Sequence, residues 1–124
     1  MTPQTLATIY AGLAALPFAM HLALAAGAPF GRFTAGGRFA AHLPPLWRGL
    51  AVVQAGLLAA MACAVLDRGG VIRLGLPPVA FWLALAMTFV TLLANAISPS
   101  RPERLLWTPI ILAMSAAAVG VAWL

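Results

Sequence analysis

Four apolar runs, each long enough to cross a bilayer, leave this 124-residue chain few folds to choose from, because its charges gather between those runs and at their ends. A helix rises about 1.5 Å per residue, so about 20 apolar residues span the roughly 30 Å hydrocarbon core. Spans are expected over residues 5–27, 47–66, 79–97 and 101–124. The expected fold is all-α: a polytopic membrane protein whose four transmembrane helices form one compact bundle and a single domain. Inside a bilayer every backbone polar group needs an internal partner, which helices supply from their own residues.

Composition bears on the alternatives. Apolar residues make up 64% of the chain and charged residues 7%, with a mean hydropathy of +1.02. A soluble domain needs about a quarter of its residues charged. The net charge of +5 comes from seven arginines and two carboxylates. The arginines lie in connecting segments and at span ends, which suits topology and lipid contact rather than nucleic acid. The single Cys63 excludes an intramolecular disulfide. Ala23-Leu24-Ala25 resembles a signal-peptide cleavage site, but no Lys or Arg precedes Leu6, so the segment is read as a retained first helix.

Helix starts and stops are written locally. Pro44-Pro45 and Pro77-Pro78 suit first helical turns, where a missing N–H costs nothing. Asp67-Arg68-Gly69-Gly70 reads as a glycine-rich stop. Ser100-Arg101-Pro102-Glu103 reads as a capping box, with Ser100 capping the fourth helix and Glu103 reaching back to the Ser100 amide. Pro17 and Pro109 lie inside apolar spans and free the carbonyls of Leu13 and Leu105.

The arginines suggest an orientation. Arg32, Arg38, Arg48, Arg101 and Arg104 fall with the first and third loops; only Arg68 and Arg73 fall on the other side. Positive residues favour the cytoplasm, which places loops one and three inside a bacterial inner membrane and both termini outside.

Two patterns bear on function. Ala7, Ala11, Ala15, Ala19, Ala23 and Gly27 follow one another at four-residue steps, as do Ala51, Ala55, Ala59 and Cys63. Small residues permit the close approach by which membrane helices associate, so these stripes suggest packing within the bundle or between subunits. The second pattern is a polar layer. His21, Gln54, Thr91, Asn95 and Thr108 all fall within roughly 10 Å of the face bearing loops one and three. Polar groups in hydrocarbon are costly and face bundle interiors or wet cavities. A polar recess opening towards that face is expected, with Trp47 and Trp107 at its mouth. The alternative for each member is structural: interhelical hydrogen bonding for Gln54 and Asn95, bonding to the helix's own carbonyls for Thr91 and Thr108, and a bond to a carbonyl freed near Pro17 for His21.

Loop one repeats Gly31-Arg32-Phe33 as Gly37-Arg38-Phe39, which suits interfacial anchoring on anionic lipid headgroups or a phosphate-bearing ligand. It lacks the Gly-Lys-Ser/Thr core of a P-loop. His21 and His42 are the only histidines; with Met61, Met87 and Met114 they are not taken to hold a metal or haem, and no cofactor is expected.

Gly36-Gly37-Arg38, Leu43-Pro44, Arg48, Gln54, Asn95, Pro99-Ser100-Arg101, Glu103-Arg104, Trp107 and Pro109 together resemble the motifs of a loose group of short bacterial four-span membrane proteins. The resemblance implies the architecture and brings no activity with it. The first span has no glutamate of the kind a small multidrug exporter carries. The leading expectation is a non-enzymatic membrane protein that self-associates or serves as an accessory subunit of a larger membrane complex. Its partners would be lipids and copies of itself or other membrane subunits. The alternatives are a small transporter or channel using the polar recess, and a lipid-headgroup-binding or lipid-modifying protein working at the arginine face.

Overall fold

The computed structural model describes residues 1–124, with four helices: α1 (Pro3–Ala25), α2 (Pro45–Arg68), α3 (Pro78–Ala96) and α4 (Arg101–Trp123). At 19 to 24 residues each, they are about 29 to 36 Å long. All four are long and apolar enough to cross a membrane, and there are no strands. The chain is a multi-pass helical membrane protein.

Proline sets the helix starts. Pro3, Pro45, Pro78 and Pro102 each occupy one of the first two positions of a helix, so α2 begins two residues before Trp47. Thr2 caps α1 by accepting the Thr5 amide at 3.1 Å. Ser100 caps α4 by accepting the Glu103 amide at 3.3 Å. The expected capping box is only half formed. The Ser100 amide goes to Ser98 Oγ at 3.2 Å, and the Glu103 carboxylate turns away to loop one. Pro17 and Pro109 lie inside helices that run on through them.

The helices form a ring in which α1 packs on α2 and α4, and α3 packs on α4 and α2. α1 and α3 are therefore diagonal neighbours. One buried hydrogen bond links them, Tyr10 to Thr88 at 2.7 Å. Because the Thr88 hydroxyl donates to the Ala84 carbonyl at 2.7 Å, the Tyr10 hydroxyl is the donor to Thr88. The main core includes Tyr10, Met61, Val65, Leu85, Ile111 and Met114; a small second cluster of Leu24, Leu43 and Ala51 lies under loop one.

The alanine stripe of α1 does not follow one contact face. Ala7 is buried and Ala11 half-buried, but Ala15 and Ala19 are exposed; Ala23 and Gly27 are again half-buried. Four-residue steps advance about 400° around the axis, so each drifts about 40° from the last. The buried face is instead Ala7, Tyr10, Ala14, Pro17 and Leu24, where steps of three and four residues compensate. On α2, likewise, Ala51 and Ala55 are buried while Ala59 and Cys63 are exposed.

Loop two is held by Asp67, the first residue of the glycine-rich stop. Asp67 accepts three amides, from Leu74 (2.7 Å), Gly75 (3.3 Å) and Leu76 (3.2 Å). Beside it Arg68 lies over the rings of Phe81 (4.8 Å) and Trp82 (5.4 Å), and Trp82 meets Trp123 edge-on. This aromatic and cationic group suits the headgroup level of the loop-two face.

Candidate functional site

α4 begins with three polar side chains on one face, spaced three and four residues apart: Ser100, Glu103 and Trp107. Each reaches the backbone of loop one. Ser100 Oγ donates to the Arg32 carbonyl (2.6 Å), Glu103 Oε2 accepts the Gly36 amide (2.9 Å), and Trp107 Nε1 donates to the Phe33 carbonyl (2.8 Å). Two single-turn 3₁₀ segments, Gly31–Phe33 and Ala35–Gly37, are folded down onto the bundle by these bonds. Close backbone approach explains the glycine at 37: its φ is +74°, and a Cβ there would stand 2.8 Å from Ser100 Cβ.

Under this folded loop lies a cavity of about 380 Å³ to which all four helices contribute. His21 comes from α1, Gln54 from α2, Thr91 and Asn95 from α3, and Glu103 and Trp107 from α4; Phe33, Thr34 and Ala35 cover the loop-one end. Four of the five residues expected to form a polar recess thus line one space. Thr108 does not; its Oγ1 is buried without a partner elsewhere on α4. Loop one covers the end at which a mouth was expected. Trp107 is a buried lining residue rather than a flanking one. Trp47 lies away from the cavity, against Phe39 (5.3 Å between centroids) and Arg38 (5.0 Å).

The polar groups differ in how far their own helices satisfy them. Thr91 Oγ1 donates to the Met87 carbonyl (2.8 Å), and Asn95 Nδ2 donates to the Thr91 carbonyl (2.8 Å). Those bonds occupy the threonine proton and one amide proton, and leave the Asn95 side-chain oxygen open. Glu103 commits one carboxylate oxygen to Gly36. His21 and Gln54 make no hydrogen bond to any other residue, and His21 does not reach a carbonyl near Pro17. In hydrocarbon an unpaired polar group is worth several kcal/mol of penalty, on the order of a lost hydrogen bond or more. These two side chains face a cavity able to offer them a partner.

Glu103 is the site residue that sequence reading assigned to another task. Its spacing to Ser100 matches a capping box, and nothing local signals that loop one, 67 residues earlier, offers a better donor. Met20, Met61 and Met87 also line the cavity, while Met114 is in the core. No three of the His, Cys, Asp and Glu residues gather as metal ligands.

The five arginines grouped at this face divide into two sets. Arg48 Nε donates to the Ala25 carbonyl (3.0 Å) and Arg104 Nη1 to the Ser98 carbonyl (2.7 Å), tying down the ends of α1 and of the loop before α4. Arg32, Arg38 and Arg101 are exposed, with Arg32 over Phe33 at 4.7 Å. Compared with protein families, curated proteins and solved structures, the chain finds no match.

Proposed function

We propose that this is a non-enzymatic membrane protein that binds a small ligand in the one-leaflet recess, in the manner of a small transporter or carrier. The observation that supports this reading is the pair His21 and Gln54. Two polar side chains without protein partners, on different helices, face the same cavity. A structural role predicts that each would find a bond within the bundle, as Tyr10 and Thr88 do. Asn95 and Glu103 add further hydrogen-bonding capacity to the same cavity. A cavity of about 380 Å³ falls within the usual range for small-molecule sites.

A second reading, self-association or service as an accessory subunit, has its own support. The exposed Ala15 and Ala59 border a shallow apolar groove between α1 and α2. Small side chains there permit a further helix to approach closely. In both readings loops one and three lie on the cytoplasmic side of the inner membrane, where Arg32, Arg38 and Arg101 meet anionic headgroups.

Native mass spectrometry of the protein extracted from its own membranes in mild detergent tests both. The expected result is a bound small molecule or lipid, one per chain, that is lost in His21→Ala and Gln54→Ala while helicity is unchanged. A bare wild-type chain, or a ligand retained by both variants, overturns the recess reading. A closed oligomer with empty recesses supports the assembly reading in its place.

A further inference from the structure

The lining of the recess also shows from which side it is reached, and so what class of ligand it takes; this step rests on the recess being a binding site. Among the lining residues only Gln54, Val90 and Ala94 are exposed. One belongs to α2 and two to α3. Every lining residue from α1, α4 and loop one is buried or half-buried. The opening therefore runs sideways between α2 and α3. Gln54 is nine residues from the start of α2 and Val90 six from the end of α3, so the mouth lies about 9 to 14 Å below the helix ends. That is the depth of acyl chains, below the headgroups.

The packing of α3 accounts for the gap. Its buried residues are Phe81, Ala84, Leu85 and Thr88. From Phe89 to Ala96 none is buried. The helix is gripped in the half nearest loop two and is only partly covered in the half beside the recess. The aqueous end is meanwhile covered by Phe33, Thr34 and Ala35, and the backbone around them is held by Ser100, Glu103 and Trp107.

The lining chemistry narrows the head group. It offers an imidazole, two carboxamides, threonine hydroxyls and one carboxylate, but no arginine. A phosphate or carboxylate head would be buried there without a counter-charge, beside Glu103, which is strongly unfavourable. We infer that the recess takes a membrane-dissolved amphiphile with an uncharged, hydrogen-bonding head, which enters sideways between α2 and α3. The head sits among His21, Gln54 and Asn95, and the hydrocarbon chain trails past Val90 and Ala94 into the bilayer.

Trp107 lines the recess and reports on its contents. In nanodiscs, a Trp47→Phe, Trp82→Phe, Trp123→Phe variant keeps Trp107 as its only indole. The probe is a monoacylglycerol brominated near the head end of its chain. It is expected to quench Trp107 saturably, at about tenfold lower mole fraction than the corresponding brominated lysophosphatidic acid, a difference of about 1.4 kcal/mol. Ala94→Phe, which fills the mouth at an exposed position, should abolish the saturable quenching; Val90→Phe is the second variant. Equal quenching by both probes, or quenching indifferent to both mouth variants, overturns the inference. If acrylamide from the water quenches Trp107 and the brominated amphiphile does not, the recess opens to water rather than to the bilayer. The sideways path then fails while the binding reading stands. If His21 and Gln54 also prove irrelevant to ligand retention, the binding reading fails as well.

Discussion

At the scale of single residues, the bundle separates polar groups that complete each other from those left open, and the difference is measurable. Tyr10 and Thr88 form a buried chain: Tyr10 donates to Thr88, which donates to the Ala84 carbonyl. The two deletions are not equivalent. Tyr10→Phe removes a donor, and Thr88 keeps its bond to its own helix, so the cost should be about 0.5–1 kcal/mol. Thr88→Val keeps the tyrosine but strands its hydroxyl in an apolar interior, costing about 1–3 kcal/mol. Thermal unfolding in detergent should therefore rank Thr88→Val as the more destabilising, and the reverse order would contradict the assigned donor direction. Neither partner was picked out from sequence. A lone tyrosine in one span and a threonine in another carry no spacing that says they meet, because the pairing is set by how α1 and α3 face across the ring.

At the scale of elements, the ends and the contacts were unequally legible. The number and length of the helices follow from apolar run length, a property of each segment alone, and the prolines set the first three starts one or two residues earlier than the apolar runs do. Which face of a helix is buried was less legible. Regular four-residue spacing in α1 suggests a single contact face, yet the helical period turns such a stripe out of contact by Ala15. The polar layer was legible by depth because rise per residue converts sequence position into height. Depth does not say which way a side chain points, and Thr108 shares the depth without facing the cavity. The clamp between α4 and loop one was invisible, since it joins side chains to backbone groups more than sixty residues away. Its most exacting point is Gly37. Gly37→Ala imposes a Cβ both on a positive φ and 2.8 Å from Ser100 Cβ, and should cost at least about 1 kcal/mol while loosening loop one. Gly56→Ala is the control: it lies within α2 with nothing within 4 Å of the added Cβ, where alanine favours the helix by about 1 kcal/mol. Thermal unfolding should shift down for the first and stay level or rise for the second. Equal behaviour would mean that the clamp does not hold loop one.

At the scale of the whole molecule, the two ends of the bundle are built differently. The loop-two end is closed by Asp67, by the Arg68, Phe81 and Trp82 group, and by the tightly packed half of α3. The other end carries the recess, the folded loop and five of the seven arginines. Two of those five, Arg48 and Arg104, are spent on carbonyls, yet their positive charge remains and still counts when the chain inserts. Hydrogen bonding to a neutral carbonyl does not neutralise a guanidinium. The charge asymmetry is therefore intact and predicts loops one and three in the cytoplasm. In a Cys63→Ala background, a cysteine at His42, exposed in loop one, should resist a membrane-impermeant maleimide in intact cells and react after permeabilisation. A cysteine at Leu124 should react at once. The opposite pattern would invert the orientation, placing the recess in the outer leaflet and making any ligand one drawn from that leaflet. Labelling of both positions in one population would show dual insertion, a consequence of a bias of only five arginines against two. The recess would then serve both leaflets, each through the copies inserted with that orientation.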